Sequence, residues 1–161
     1  NTLIMSLAHI AHDCQVGNDV IISHGSGLAG HVIVEDRVVI GGMAGVHQFC
    51  RVGTMAMIGG ISKVTKNVPP YILVDGNPAK AASVNIVGLR RGCLSPEVRA
   101  EIKKAYKILY RNGNTVPHAI EEIEQNLQGY PEIDHFLRFL RDVGRGICSA
   151  RKQDDAESEA E

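Results

Sequence analysis

A six-residue period, from residue 4 to residue 68, limits the folds open to this chain more than any other feature of its sequence. Each of eleven consecutive hexads begins with a branched aliphatic residue, and the fifth place of each hexad is small or aliphatic. The first-place residues are Ile4, Ile10, Val16, Ile22, Leu28, Val34, Ile40, Val46, Val52, Ile58 and Val64. A repeat of fixed length with the same apolar places in every unit is typical of a solenoid, whose units stack on their neighbours.

The hexads predict one short β-strand each. Side chains alternate along a strand, so the fifth place and the next first place, two residues apart, point to the same face, which is the inside. The third and fourth places are rich in Gly, Asp, Asn and His and predict a corner. Three sides would close a triangular coil of eighteen residues, with successive coils about 4.8 Å apart. The prediction is a β-solenoid, specifically a parallel β-helix.

Spacing alone leaves the number of sides and the handedness open. Parallel connections are normally right-handed. An ordinary β-sandwich fits the period poorly, because its turns would recur about every 8 to 12 residues.

The domain organisation follows from where the repeat runs. The frame is already established at Ile4, so residues 1–68 are expected to be the last coils of a β-helix whose N-terminal coils are missing. Pro69 and Pro70 end the repeat, because proline cannot donate to the hydrogen-bond ladder. We expect a loop or extension over residues 69–94, a three-helix domain over 95–147, and a charged, disordered tail over 148–161.

Three helical patterns support the C-terminal domain. Ser95 is the predicted N-cap of the first, with Pro96 at its first position; the second starts near Thr115 and the third after Pro131. The first pattern has a basic face, on which five cations stand against Glu101 alone. These cations are Arg99, Lys103, Lys104, Lys107 and Arg111. Such a face suits an acidic partner, and a solvated helix face accounts for it equally well.

Composition excludes several classes of protein. The net charge of -1 and the 44% of hydrophobic residues are those of a globular chain and predict no nucleic-acid partner, and no apolar run is long enough to span a membrane. Cys14 and Cys50 both fall at inward fifth places two coils apart, about 9.6 Å, which is too far for a disulfide. These features predict a cytoplasmic protein with reduced cysteines.

Histidines collect on one outer edge of the predicted coil. His12, His31 and His47 belong to hexads that lie eighteen residues apart, and His9 stands at the outward place just before the same corner. Gln48 follows His47 at this edge. None of these positions points inward, so we interpret the column as a functional site rather than as buried core histidines. The other three histidines, His24, His118 and His135, are interpreted as structural.

The column contains the elements of acid–base chemistry. Asp13 follows His12, and its carboxylate could orient an imidazole that acts as a general base near neutral pH. Gly30 lies one coil above His12, where its backbone N–H could approach a developing oxyanion without a side chain in the way. Gly27 and Gly45 are in line with His9, and Gly42 and Gly60 lie on another edge, so that parts of the surface could receive an acyl chain.

Several ordered motifs resemble those of the UDP-N-acetylglucosamine O-acyltransferases, a hexapeptide-repeat family that acts first in lipid A synthesis. The motifs are His9-Ile10-Ala11-His12-Asp13-Cys14, Leu28-Ala29-Gly30-His31-Val32, Ile40-Gly41-Gly42, Val46-His47-Gln48-Phe49, Gly76-Asn77-Pro78-Ala79 and Asn85-Ile86-Val87-Gly88-Leu89-Arg90-Arg91. The resemblance implies a left-handed β-helix and transfer of an (R)-3-hydroxyacyl group from acyl carrier protein to the sugar 3-hydroxyl. It also implies a homotrimer with sites between subunits, and no metal or other cofactor.

The resemblance also implies a role for each matching residue. His12 would be the general base, Asp13 would orient it, and the Gly30 amide would stabilise the oxyanion. His9, His31, His47 and Gln48 would line the substrate groove. Gly60 would set the acyl length, and Asn85 and Arg91 would contact the donor's phosphopantetheine or the nucleotide sugar. The basic face on the first helix would bind acyl carrier protein.

The sequence departs from the family pattern at three points. Val87 stands where the family has Glu, and Gly92 stands where a further Arg follows Arg91. The N-terminal coils, which supply other substrate contacts, are not in the sequence, so this chain alone is expected to hold an incomplete site. Three alternatives remain open: the related N-acyltransferase of the same pathway, an inactive truncated relic, and a γ-type carbonic anhydrase with zinc on its histidines.

Overall fold

The structure is a computed structural model that describes residues 1–127 and 129–151. It begins with eleven strands of two residues, one for each hexad. Their bounds are β1 Leu3–Ile4, β2 His9–Ile10, β3 Gln15–Val16, β4 Ile21–Ile22, β5 Gly27–Leu28, β6 Ile33–Val34, β7 Val39–Ile40, β8 Gly45–Val46, β9 Arg51–Val52, β10 Met57–Ile58 and β11 Lys63–Val64. The predicted β-solenoid is confirmed.

The strands form the three sides of a prism. The first sheet has the order β1-β4-β7-β10, followed by two later strands, β12 (Ile72–Gly76) and β13 (Ala79–Val84). The second sheet has the order β11-β8-β5-β2 and the third β3-β6-β9. Neighbouring strands of the β-helix are parallel and eighteen residues apart, as in the pairing of Gly27 with Gly45. Three-sidedness, which spacing left open, therefore follows from the observed register.

The inside of the prism contains the fifth and first places, as predicted. From Val20 onward these residues are almost all fully buried, whereas Ile4 in the first coil is 51% exposed. Two buried serines at the fifth place satisfy their hydroxyls: Ser26 donates to the carbonyls of Ser23 and Gly41 at 2.8 Å each, and Ser62 donates to Asp75 at 2.8 Å. Buried polar groups without such partners would destabilise the core.

The first ten of the eleven hexads use the left-handed backbone region at their fourth place. The residues are Leu7, Asp13, Asp19, Gly25, His31, Arg37, Met43, Phe49, Met55 and Ile61, with φ between 54° and 65°. A non-glycine residue in this region costs about 1 to 2 kcal/mol. Each coil offsets part of this cost with a hydrogen bond to the coil before it, as where the amide of His31 donates to the His12 carbonyl at 3.1 Å.

Residues 69–94 are more regular than the predicted loop. They contain an antiparallel hairpin of β12 (Ile72–Gly76) and β13 (Ala79–Val84), followed by the short helix α1 (Ile86–Arg91). Strand β12 pairs in parallel with β10 and so extends the first sheet. The Gly76-Asn77-Pro78 stretch that suggested a loop is the turn of this hairpin, and the flanking strands were not predicted because they leave the six-residue frame.

Three further helices follow within residues 95–151, as predicted. They are α2 (Pro96–Tyr110), α3 (Val116–Asn126) and α4 (Pro131–Arg141). Ser95 and Thr115 cap α2 and α3 by accepting from the backbone N–H groups of Val98 and His118. Among the described residues, no helix has the length and hydrophobicity that a membrane crossing requires.

Part of the predicted disordered tail is ordered. Cys148 is 2% exposed, and its amide donates to the Asn67 carbonyl at 2.9 Å. The amide of Arg151 donates to Ala81 at 2.9 Å, so residues 148–151 run along the end of the β-helix and the hairpin. For these residues the prediction of disorder is wrong. It was based on the composition of the tail, which does not reveal the hydrogen bonds that the backbone makes to Asn67 and Ala81. Residues 152–161 lie outside the described part of the chain.

A partly buried ion-pair cluster joins α4 to the β-helix. The Glu35 carboxylate accepts hydrogen bonds from the Arg51 Nε at 2.8 Å, from the Thr54 amide at 2.8 Å and hydroxyl at 2.9 Å, and from the His135 Nε2 at 2.8 Å. The Arg51 guanidinium stacks over Phe139 of α4 at 4.7 Å. Burial alone would raise the pKa of Glu35, but the bonds from His135 and Thr54 outweigh it and lower the pKa to about 2.

This cluster predicts a loss of stability in acid. The folded pKa of Glu35, about 2, lies below its ordinary value of 4.5. The stabilisation is therefore fully present above the unfolded pKa and is lost as the pH falls through the folded one, between about pH 5 and pH 2. We expect the free energy of unfolding to fall by up to about 3 kcal/mol over this window. Urea unfolding at a series of pH values, on the parent and on Glu35→Gln, measures the effect; equal pH dependence in the two proteins would contradict it.

Candidate active site

The predicted histidine column lies on one edge of the prism, between the second and third sheets. We name this edge the histidine corner; it consists of residues 12–13, 30–31 and 48–49 of three successive coils. The rings of His12 and His31 meet edge to face with their centroids 5.0 Å apart. Both side chains are exposed, at 72% and 44%. The six-residue repeat predicts that these two histidines lie on the same outer edge, and the structure places them there.

His12 is oriented by the carboxylate beside it. The Nδ1 of His12 lies 2.9 Å from Oδ2 of Asp13. The hydrogen bond from His12, and next the nearby His31 ring, lower the pKa of Asp13 below its usual range, so that this residue is a carboxylate at neutral pH. A carboxylate can only accept, so a neutral His12 carries its proton on Nδ1 and leaves Nε2 with a free lone pair.

Gly30 provides the space in which the His12 ring lies. A β-carbon on Gly30 would be 2.6 Å from Cε1 and 2.7 Å from Nε2 of His12, which no side chain could tolerate without moving the ring. Within residues 1–127 and 129–151, the Gly30 amide donates to no protein acceptor. The free lone pair of His12 and an available backbone donor therefore lie side by side, which is the arrangement that acyl transfer requires.

Phe49 supports the corner from above and was not predicted as a site residue. Its ring stacks on His31 with the centroids 4.8 Å apart and the planes 8° from parallel. The Nε2 of His31 lies 3.7 Å from the Asp13 carboxylate. Asp13, His31 and Phe49 occupy the fourth place of three successive coils, so the eighteen-residue count was the signal that could have found Phe49. Gln48 lies at the third place of the same coil as Phe49.

A shallow groove of about 560 Å³ runs over the second sheet beside the corner. His9, Gly27, Gly45 and Lys63, eighteen residues apart, line its floor, and Gly30 and His47 line its edge. The Nδ1 of His47 lies 3.1 Å from the Gln48 carbonyl. A β-carbon on Gly27 or Gly45 would meet nothing within 4 Å, so packing does not require glycine at either position. Lys63, which sequence reasoning missed, continues the column of His9 and places a cation at its far end.

Three predicted site residues lie away from the histidine corner in this chain. Gly60 is on the opposite edge of the second sheet, where a β-carbon would be 3.4 Å from the Gly42 carbonyl. Asn85 and Arg91 line a second groove, of about 830 Å³, on the first sheet.

The Asn85 side chain has a structural role. It is 4% exposed, accepts from the Gly88 amide at 3.0 Å and donates to the Met55 carbonyl at 2.9 Å. It therefore caps α1 and fastens that helix to the β-helix.

The histidines interpreted as structural lie outside the corner. His24 Nδ1 is 3.0 Å from the Ser6 hydroxyl on another edge, and His135 is bonded to Glu35. All four cysteines are free, and Cys50 and Cys148 are buried. The expectation that Cys14 and Cys50 form no disulfide is confirmed.

Comparison with known proteins identifies the family. The profile described as "Udp N-acetylglucosamine O-acyltransferase; Domain 2" matches residues 67–148, and that described as "Bacterial transferase hexapeptide (six repeats)" matches residues 1–30. A protein of Anaeromyxobacter sp. (strain K), named acyl-[acyl-carrier-protein]--UDP-N-acetylglucosamine O-acyltransferase, is 44% identical over 145 residues, which are 90% of this chain and 56% of that protein.

Solved structures agree with this assignment. LpxA from Acinetobacter baumannii matches with a TM-score of 0.88 and 40% identity, over 91% of this chain and 57% of that one. The UDP-N-acetylglucosamine acyltransferase of Francisella novicida matches with a TM-score of 0.91 and 36% identity, over 96% and 57%. This chain thus spans little more than half the length of the relatives it matches. The resemblance seen in the motifs is confirmed, and the chain belongs to the UDP-N-acetylglucosamine O-acyltransferase family.

Proposed function

We propose that the histidine corner transfers an (R)-3-hydroxyacyl group from acyl carrier protein to the 3-hydroxyl of UDP-N-acetylglucosamine, the first step of lipid A synthesis. The observation that carries the proposal is the placement of His12 between the Asp13 carboxylate and Gly30, whose amide donates to no acceptor in the described part of the chain. The names of the relatives support the choice of donor and acceptor.

The reaction needs one proton acceptor and one oxyanion donor. The Nε2 of His12 takes the proton of the sugar hydroxyl as its oxygen attacks the thioester carbonyl carbon. The carbonyl oxygen gains the negative charge and accepts a hydrogen bond from the Gly30 amide. When the tetrahedral intermediate collapses, the carbon–sulfur bond breaks, and the departing thiolate takes the proton back from the imidazolium. Asp13 holds the imidazole and stabilises its charged form.

The groove on the second sheet fits the substrates of this reaction. At Gly27 and Gly45 the floor of the groove is bare backbone, which an acyl chain can cover. Packing within the chain does not require glycine at either position, so the open floor is available to a ligand. His9, His31, His47 and Gln48 supply polar groups at the edge where a sugar would lie. Lys63 adds a positive charge at the far end, which suits a phosphate group of either substrate.

The transfer as proposed uses no metal and no resident cofactor. The thioester of the donor's phosphopantetheine supplies the activated acyl group, and His12 activates the hydroxyl directly. We also propose a cytoplasmic location, which the four free cysteines support, since a reducing compartment keeps thiols free.

We further propose that the protein acts as a homotrimer with sites between subunits. Two observations support this. The groove with Asn85 and Arg91 lies on the first sheet, whereas the groove beside the histidine corner lies on the second. An apolar column on the edge between the first and second sheets is open to solvent. The column consists of Leu7, Met43 and Ile61, which are 79%, 63% and 79% exposed. A neighbouring prism would cover the column and bring Arg91 of one chain towards His12 of the next. Sedimentation equilibrium should give three times the chain mass of 17.4 kDa.

The basic face of α2 is the proposed docking surface for acyl carrier protein. Lys103, Lys104 and Lys107 are exposed on this helix. Lys104 is partly neutralised by Glu101, with the two charged groups 2.7 Å apart. Charged surfaces of this kind raise association rates with an acidic partner and lose their effect in high salt.

A UDP-sugar acylation assay with a set of acyl carrier protein thioesters tests the function. It is run on this chain and on the chain joined to the N-terminal coils of a full-length relative. Product formed with UDP-N-acetylglucosamine supports the proposal. Product formed only when the acceptor carries an amine would assign the chain to N-acyl transfer, and the lack of product from both forms would favour an inactive relic.

Gly60 provides a prediction on acyl length. Because a β-carbon there meets only the Gly42 carbonyl at 3.4 Å, a larger side chain can be added without disturbing the coil. Gly60 lies about two and two-thirds coils beyond His12, about 13 Å along the prism axis. We expect Gly60→Met to shift the preferred donor to a shorter acyl chain, by about tenfold or more in the ratio of kcat/KM values. Gly144→Met is the control, because a β-carbon at this exposed position after α4 would meet nothing within 4 Å. An unchanged chain-length profile would remove Gly60 from the acyl site.

A further inference from the structure

We propose that the histidine corner is also a binding site for a divalent transition-metal cation of the Zn²⁺ type, and that the bound cation inhibits the enzyme reversibly. The ligands are His12, Asp13 and His31. Metal binding at this site stands on its own geometry, whereas the inhibition rests on the function proposed above.

The three ligand atoms already lie close together. One from each residue can be chosen so that all are within 4.8 Å of one another. The Asp13 Oδ2 lies 2.9 Å from His12 Nδ1 and 3.7 Å from His31 Nε2. Zinc bound tetrahedrally at about 2.0 to 2.1 Å requires ligand atoms about 3.3 Å apart. The two distances from Asp13 differ from this by about 0.4 Å, and the two imidazole nitrogens lie at most 4.8 Å apart, so rotations of the exposed side chains can bring the three ligand atoms into place.

The backbone and the neighbouring rings hold the ligands in place. Asp13 and His31 occupy the same left-handed corner position in successive coils, with φ of 58° and 60°. The amide of His31 is bonded to the His12 carbonyl at 3.1 Å, and its ring is stacked on Phe49. Metal binding therefore costs little conformational entropy, because the ligands are already held in place. All three side chains are exposed, so water can occupy the remaining coordination positions of the cation.

The ligand set selects the class of cation. Two imidazoles and one carboxylate suit zinc and other late first-row ions. Calcium takes six to eight oxygen ligands, and magnesium prefers oxygen in octahedral geometry and keeps most of its water. Neither is expected to bind at a site that offers two nitrogens and one carboxylate.

A cation at this site removes the general base whichever nitrogen of His12 it uses. If it binds Nε2, the lone pair that would take the sugar proton is occupied. If it binds Nδ1, the neutral ring carries its proton on Nε2, where it has no lone pair to offer. The bound cation also takes the Asp13 carboxylate away from its hydrogen bond with His12. Inhibition should therefore appear in kcat rather than only in KM.

Isothermal titration calorimetry with ZnCl₂, on the full chain without chelators, tests the site itself. We expect binding by the parent, no heat with MgCl₂ under the same conditions, and affinity at least about tenfold lower in His31→Ala. His24→Ala is the matched control, because it removes an exposed histidine from another edge. The proposal is overturned if the parent does not bind zinc, or if His31→Ala binds as tightly as the parent.

Turnover provides the second measurement. In the acylation assay, zinc should lower kcat of the parent and EDTA should restore it; unchanged kcat at a zinc concentration that saturates the calorimetric site would overturn the inhibition. Zinc binding in a chain that shows no acyl transfer would support the site and count against the proposed function. Acyl transfer by a chain that does not bind zinc would support the proposed function and overturn the metal site. The two proposals can therefore fail separately.

Discussion

Replacing His12 by alanine is expected to lower kcat for acyl transfer by about a thousandfold, within the range that general bases contribute. The variant loses the imidazole nitrogen that lies against Gly30, and Asp13 cannot substitute because its lowered pKa makes it a poor proton acceptor. The His12 side chain is 72% exposed, so its removal leaves no cavity in the core. The measurement is kcat and KM of the variant in the acylation assay, in the form of the chain that shows the higher parent activity.

The control for this prediction is His24→Ala, which removes another exposed histidine from a different edge of the prism. Circular dichroism and the urea midpoint of both variants should equal those of the parent. Equal turnover in His12→Ala and the parent would exclude His12 from the mechanism. A loss of turnover accompanied by a large fall in stability would mean that the residue is structural.

Replacing Glu35 by alanine is expected to lower the free energy of unfolding by about 3 kcal/mol, the lower end of the range for removing one partner of a buried ion pair, because this cluster is only partly buried. The change leaves the Arg51 guanidinium, the Thr54 amide and the His135 ring without the acceptor that they share. Glu35 is only 12% exposed, so water replaces these bonds poorly. Because the cluster joins two coils to α4, we expect the helical domain to loosen from the prism before the coils unfold.

Urea unfolding followed by circular dichroism measures this loss, and hydrogen exchange of the α4 amides shows where it acts. The matched control is Glu124→Ala, which breaks the surface pair of Glu124 with Arg141 and should cost less than about 1 kcal/mol. A loss in Glu35→Ala as small as that of the control would show that the cluster does not hold the two parts together.

Most of the candidate site could be predicted because it repeats with the coil. Once each hexad is taken as one side of a prism, residues eighteen apart must stack, which is why His12, Gly30 and His31 came together from counting alone. The same count reaches Phe49 and Lys63, but their residue types did not suggest catalysis. A search for acid–base and nucleophilic side chains does not select a phenylalanine that stacks on a catalytic-site ring or a lysine at the end of a groove.

Features that depend on contacts outside the repeat could not be predicted. Glu35 and His135 are a hundred residues apart, and nothing in either local sequence specifies the other. The hairpin from Ile72 to Val84 and the ordered residues 148–151 depend on backbone partners supplied by earlier coils. The position of the Asn85 side chain likewise depends on a contact outside its local sequence, with the Met55 carbonyl thirty residues earlier.

The three-sided register also restricts how the gene for such a prism can change in length. Loss or gain of one codon within a hexad would turn every later aliphatic side chain outward, and the remaining coils could not form. A change of six codons would keep the interior filled but rotate all later residues by one side, carrying Lys63 away from the line of His9. Only steps of eighteen codons preserve both the interior and the alignment of the outer columns, so duplication of whole coils is the route by which these proteins can lengthen without losing their chemistry.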